Sequence, residues 1–305
     1  MSWNAFFGFI FFLIVLVLLG TYWFLPLGEI DFSPYVYKGN SNISVGNFSD
    51  AEQFYDNMRY QKKVISYSIN DCPLSKQDEM ERAFEIVSNL TVLEFYSVNS
   101  GEEISVTCDS KTRFDEEKRF IAGEGGPSKI IQSGDFNVIL NGDILLIRES
   151  KCPRPNIAIH ELFHALGYNH SENPGSVMYS VTNCEQEVED DLIKSVNEIY
   201  SFPSNPDLVF ENVSATMNGK YLDANMTIKN IGLIDSNAGK VVIYADEKQI
   251  HEVELSVMGV GRGFTISVWN VYVPKISISE IKFAIVYNQE ELQKNNNKII
   301  LKIKK

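Results

Sequence analysis

The chain has 305 residues, 44% hydrophobic and 22% charged, a composition that folds into globular domains and excludes a disordered polymer. That length allows two ordinary domains. The formal net charge of −13 excludes nucleic acid as the expected partner, because phosphate binding needs clustered Lys and Arg.

The first element is apolar. Asn4 to Leu27 reads NAFFGFIFFLIVLVLLGTYWFLPL, 24 residues without a charge. A helix of roughly 20 residues crosses the hydrocarbon core of a bilayer, and Trp3, Tyr22 and Trp23 suit its interfaces. Residues 1–28 are therefore expected to form a transmembrane helix that anchors the chain in the cell membrane, single-pass, with the remainder extracytoplasmic. A cleaved signal peptide and a secreted product are the alternative; its apolar region usually runs about 7–15 residues. Residues 29–58, rich in Ser, Asn and Gly without periodicity, read as a spacer.

Residues 59–203 mix helical and strand patterns. Alternation from Lys62 to Ile69 predicts a strand. Ser75, with Asp78 three residues on, predicts a capped helix whose stripe is Met80, Ala83, Phe84 and Val87. β-Rich runs follow at Val92–Val98, Ile104–Cys108, Arg119–Ala122 and Asn137–Ile147, and the intervening GEGGPSK reads as an irregular loop beside the cleft. Pro155 opens a helix over Asn156–Gly167, and Glu185–Tyr200 predicts another. After the Pro203–Pro206 boundary, residues 204–305 carry seven period-two segments from Leu208 to Ile303, the rhythm of an immunoglobulin-like sandwich. The expected fold class is thus α+β: a mixed, mostly parallel sheet with two helices, then an all-β sandwich.

Four cysteines, Cys72, Cys108, Cys152 and Cys184, form no CxxC pair; an even count at wide spacing suits disulfides in an oxidising compartment. Of the three pairings available, sequence proximity favours Cys72–Cys108 and Cys152–Cys184.

Ile159–His170, IHELFHALGYNH, carries the chemistry. His160 and His164 lie four apart, one turn along one helix face, where two imidazoles can grip one zinc ion. Gly167 can end the helix with a positive φ and bring His170 back as third ligand. Glu161, beside the first ligand, is placed to act as general base on a water. Three of the chain's four histidines fall in this stretch, and SENPGSVMYS follows it.

The full pattern HExxHxxGxxH with Met178 downstream resembles the metzincin zinc peptidases, and from the serine after the third histidine to Met178–Tyr179 it looks like the matrixins (peptidase M10). The resemblance covers roughly residues 60–202. It implies a catalytic Zn2+ held by His160, His164 and His170, Glu161 as base, Met178 as the Met-turn residue, and a protein or peptide substrate paired with an edge strand, expected at Asn137–Ile147. Tyr179 is assigned to packing. The chain lacks the matrixin cysteine switch before the domain, and its remaining histidine, His251, lies in the tail, so one zinc is expected. Asp135, Asn141 and Asp143 offer oxygen donors for Ca2+, which is left unassigned. The tail resembles CARDB adhesion-type modules through PDLVFENVSA, KNIGLIDSNAGKVVIYAD and NNNKIILKI; the resemblance suggests a surface ligand but transfers no function. Three readings follow: a membrane-anchored endopeptidase, a surface binding protein carrying a relic peptidase domain, or a zinc hydrolase that does not cut peptides.

Overall fold

The structure is a computed structural model that describes residues 3–24, 29–35, 51–111, 113–114, 120–275 and 278–303. Helix α1 (Trp3–Phe24) exposes large apolar side chains from Trp3 to Leu19. Among the described residues no helix is long and apolar enough to cross a membrane, so the expected span is not supported here.

The spacer expectation is corrected at its start. Glu29–Tyr35 is strand β1, paired antiparallel on both sides with strands of the tail. Residues 36–50 lie outside the described residues, and the end of the expected spacer is corrected too: Gln53 bridges Tyr168 and Met58 opens β2.

The first globular unit is built from β2 (Met58–Tyr60), β3 (Val64–Ile69), α2 (Leu74–Leu90), β4 (Glu94–Ser97), β5 (Ile104–Cys108), the short pair β6 (Arg113–Phe114) and β7 (Phe120–Ile121), β8 (Gly123–Ser133), β9 (Phe136–Leu146), α3 (Asn156–Ala165) and α4 (Asp190–Ile199). β4, β3, β5, β9 and β2 are parallel to their neighbours, while β8 runs antiparallel along β9. Among the described residues β8 pairs with β9 alone and so forms the edge. Met80, Ala83, Phe84 and Val87 of α2 are buried as the periodicity requires, and all ten residues of α3 are buried.

Three local expectations are corrected. GEGGPSK is not a loop: it opens β8, tolerated because edge position and glycine permit close approach by α3. Ser75 does not cap α2, whose N-cap is Pro73; its hydroxyl donates instead to Glu149 at 2.5 Å. The last helix starts at Asp190 rather than Glu185, because Glu187 is held extended by its bridge to Ser176.

The tail comprises β10 (Leu208–Asn218), β11 (Tyr221–Asn230), β12 (Gly239–Ala245), β13 (Lys248–Leu255), β14 (Gly263–Tyr272), β15 (Glu280–Tyr287) and β16 (Lys298–Ile303). With β1 they run β13-β12-β15-β16-β1-β10-β11-β14, antiparallel throughout. Alternating residues such as Met217, Leu222, Ile228, Ile243, Phe283 and Leu301 fill the core.

The two units are in direct contact. Leu233 and Val260 of the tail are buried in the core of the first unit. Ser133 donates from the β8–β9 turn to the Gly232 carbonyl at 2.6 Å. A side chain at Gly261 would meet Ile131 at 2.5 Å, so only glycine fits this contact, and its φ is +67°. Arg59, 1% exposed, fastens the connecting segment by donating to the carbonyls of Ile199 and Phe202 and to the Ser204 hydroxyl.

Candidate metal centre and cleft

Helix α3 sets His160 and His164 one turn apart on the face toward the cleft. The chain then bends at Gly167, φ +98°, where a Cβ would lie 2.9 Å from that of Met58. The bend returns His170, and the ligand atoms of the three histidines lie within 4.8 Å of one another. Among the described residues this is the one such gathering of three or more His, Cys, Asp or Glu.

The separations fit a metal. His164 Nε2 lies 2.9 Å from His160 Nε2 and 3.2 Å from His170 Nε2. Four-coordinate zinc with bonds near 2.0–2.1 Å has ligand-to-ligand edges of roughly 3.3 Å. The tautomers agree. His160 Nδ1 is 2.7 Å from the Val177 carbonyl, and His164 Nδ1 is 2.7 Å from the Tyr168 carbonyl. A carbonyl only accepts, so each Nδ1 carries its proton and each Nε2 presents a lone pair. Burial first, then the neighbouring imidazoles, pushes His160 down to about 4 and His164 down to about 3, although the carbonyl contacts oppose the shift. Near pH 7 both rings are therefore neutral. Lone pairs facing at 2.9 Å call for a cation between them.

Glu161, 5% exposed, lies beside this point. Burial, helped by Glu124, pushes its carboxyl up to about 8, a range in which a group both takes and returns a proton at neutral pH. Two glycines of β8 make its place. A Cβ at Gly123 would fall 2.7 Å from Glu161 Oε1, and one at Gly125 would fall 2.3 Å from the Glu161 carbonyl oxygen. These two positions share one strand face, and the i, i+2 glycine spacing was the signal available in the sequence.

Met178 is 3% exposed; its carbonyl accepts the N–H of Ser171, and the preceding carbonyl, Val177, orients His160. Tyr179 is half-buried. Phe54 stacks on the His164 ring at 5.7 Å, held there as its N–H donates to the Gly167 carbonyl at 2.9 Å. No sequence pattern pointed to Phe54, which precedes the motif by more than a hundred positions. Both expected disulfides form, Cys72–Cys108 and Cys152–Cys184, and the second joins two walls of the cleft. The cleft, about 1430 Å³, exceeds the usual 300–1,000 Å³ of a small-ligand pocket and is open enough for a polypeptide.

Two expectations fail on geometry. Asn137–Ile147 corresponds to β9, which is paired on both sides and cannot receive a peptide; the free edge is β8. Asp135, Asn141 and Asp143 are strung along the extended chain from the turn into β9. At roughly 3.3 Å per residue the outer two lie about 26 Å apart along the strand, so they do not converge on one calcium ion.

Comparisons with known proteins agree with this architecture. The matrixin family model (Peptidase_M10) matches residues 59–201, and the CARDB family model matches residues 205–300. The chain carries a matrixin domain followed by a CARDB domain. It is 25% identical over 224 residues to the interstitial collagenase of Oryctolagus cuniculus, covering 67% of this chain and 46% of that protein. It is 26% identical over 205 residues to the macrophage metalloelastase of Rattus norvegicus, covering 59% of this chain and 42% of that protein. The chain thus spans less than half the length of both relatives. A solved CARDB domain from Pyrococcus furiosus, in complex with di-metal ions, aligns with 32% of this chain and 93% of that one, at 17% identity and a TM-score of 0.28.

Proposed function

We propose that this protein is a zinc-dependent endopeptidase working outside the cytoplasm. The observation that carries the reading is the convergence of three imidazole Nε2 atoms beside Glu161 in an open cleft. His160, His164 and His170 would hold the ion, with the Val177 and Tyr168 carbonyls fixing two of the rings. When bound, zinc supplies Lewis-acid polarisation of a carbonyl and lowers the pKa of a water to about 7. Glu161 takes the proton of the attacking water and passes it to the leaving amine. An extended peptide adds to the edge of β8 through main-chain hydrogen bonds, which hold its carbonyl above the histidines.

Glu161→Gln tests the assignment: zinc content stays at one equivalent, and cleavage of casein falls by roughly 10²–10⁴. Unchanged proteolysis removes Glu161 as base. A zinc-loaded wild-type protein that cleaves nothing, while still binding a surface partner, favours the adhesion reading.

For location, support comes from the two disulfides, which persist in oxidising compartments. The exposed apolar side chains of α1 need lipid cover, and membrane attachment on the extracytoplasmic side is the reading they favour. Recovery of a shortened chain, without the apolar N-terminal segment, in the soluble fraction argues instead for release after cleavage.

A further inference from the structure

The junction between the two domains contains a group of buried oxygens with no positive partner. Asp207, 1% exposed, directly follows the linker, and Glu291 lies between β15 and β16. Asn296 Nδ2 donates to Asp207 Oδ1 at 2.7 Å, the Leu208 N–H donates to Glu291 Oε1 at 3.1 Å, and Asn297 Nδ2 touches Glu291 Oε2. Among the described residues, no Lys, Arg or His pairs with either carboxylate.

A second observation concerns the amide oxygens of the two asparagines. Asn297 is 9% exposed, and its Oδ1 is buried without any partner. The Oδ1 of Asn296 is also buried and unpartnered, and the Tyr287 hydroxyl beside them is engaged with Glu291. Each unmade hydrogen bond on a buried oxygen is costly, and native structures keep such atoms only where something satisfies them. Here the orphans are all oxygens, and they adjoin two carboxylates lacking a counter-charge.

We propose that Asp207, Glu291, Asn296 and Asn297 form a binding site for a hard divalent cation, calcium, at the junction of the two domains. The donor set is oxygen alone, which selects calcium or magnesium over zinc or copper. Two carboxylates, two amide oxygens and the Tyr287 hydroxyl, completed by water, reach the six to eight donors calcium takes, and an irregular loop suits its flexible geometry better than the strict octahedron of magnesium. Rotating each asparagine amide brings its orphaned oxygen to the ion while the carboxylates exchange amide protons for the cation.

The position gives the ion a task. Leu292, one residue after Glu291, donates its N–H to the Pro206 carbonyl at 3.0 Å and packs against the core of the matrixin domain. Calcium would therefore fasten the segment from Glu291 to Asn297 onto the linker and stabilise the docking of one domain on the other.

The test uses the full chain, stripped with chelator and reloaded with one equivalent of zinc. Calcium chloride is then titrated by calorimetry and by thermal unfolding. Wild type is expected to take up one calcium and unfold several degrees higher, beyond any shift from magnesium or sodium chloride at matched ionic strength. Glu291→Gln, which keeps the acceptor for Leu208, loses at least tenfold in calcium affinity together with the thermal shift. Asn297→Asp, which adds a third carboxylate, binds calcium more tightly. Absence of calcium uptake by wild type, an equal response to magnesium, or the same uptake in Glu291→Gln overturns the proposal. The readout is binding and unfolding, so its failure is distinct from failure of the peptidase reading.

Discussion

At the scale of single residues, the buried polar groups carry the most consequence. Lys76 sits in the first turn of α2, 5% exposed, and its ammonium donates to the carbonyls of Asp109, Leu146 and Ile147 at 2.8, 3.2 and 2.8 Å. It gathers the ends of β5 and β9 beside the Cys72–Cys108 bridge. Lys76→Met keeps the length and removes the ammonium donor from the Asp109 and Ile147 carbonyls, while the Leu146 carbonyl keeps the N–H of Asp109. Destabilisation on the order of 2–3 kcal/mol is expected in urea unfolding, with the histidine cluster intact by zinc binding. The three histidines themselves were readable in advance, because ligand spacing on a helix and a glycine bend are local properties of the chain. Lys76 was not, since its acceptors come from segments 33 and 70 residues away.

At the scale of elements, β8 against α3 decides the shape of the cleft. Gly125 brings the strand so near the helix that a methyl group would strike the Glu161 carbonyl oxygen at 2.3 Å, whereas Gly126, one position on, has nothing within 4 Å. Gly125→Ala is expected to cost roughly 1–3 kcal/mol through overpacking and to lower peptide cleavage as β8 moves outward. Gly126→Ala should match wild type in both thermal unfolding and cleavage. A loss of equal size in the two variants would mean that strand flexibility, not contact, is what the glycines provide. The alternating tail strands and the α2 stripe were legible, because periodicity is written in neighbouring residues. The glycine-rich strand was not, since its regularity is imposed by β9 and α3 rather than by its own propensity. The strand character of Glu29–Tyr35 was hidden for the same reason: its partners, Glu29 to Asn218 and Tyr35 to Ile300, are remote.

At the scale of the whole molecule, the junction links stability to pH. Burial, with Glu291 adding to it, pushes Asp207 up to about 7, although its hydrogen bond from Asn296 pulls the other way. In chelator the folded protein then retains a proton that the unfolded chain, with an ordinary aspartate near 3.9, has released. Stability therefore falls as pH rises from about 4 to about 7 and levels above that. Thermal midpoints between pH 5 and 8 should decline less in Asp207→Asn than in wild type; equal slopes would mean Asp207 does not carry this linkage. β1 adds a constraint on assembly. One of the two neighbours of this strand, β16, is made some 265 residues after it, since Tyr35 pairs with Ile300. The matrixin unit lies between them in the chain and has time to fold while β1 waits. Closure of such a distant pairing is slow and leaves a sticky edge unpaired in the meantime. Completion of the eight-stranded sheet thus waits until β16 has been made, and a cut between the domains after maturation would leave the N-terminal piece still gripped by the tail.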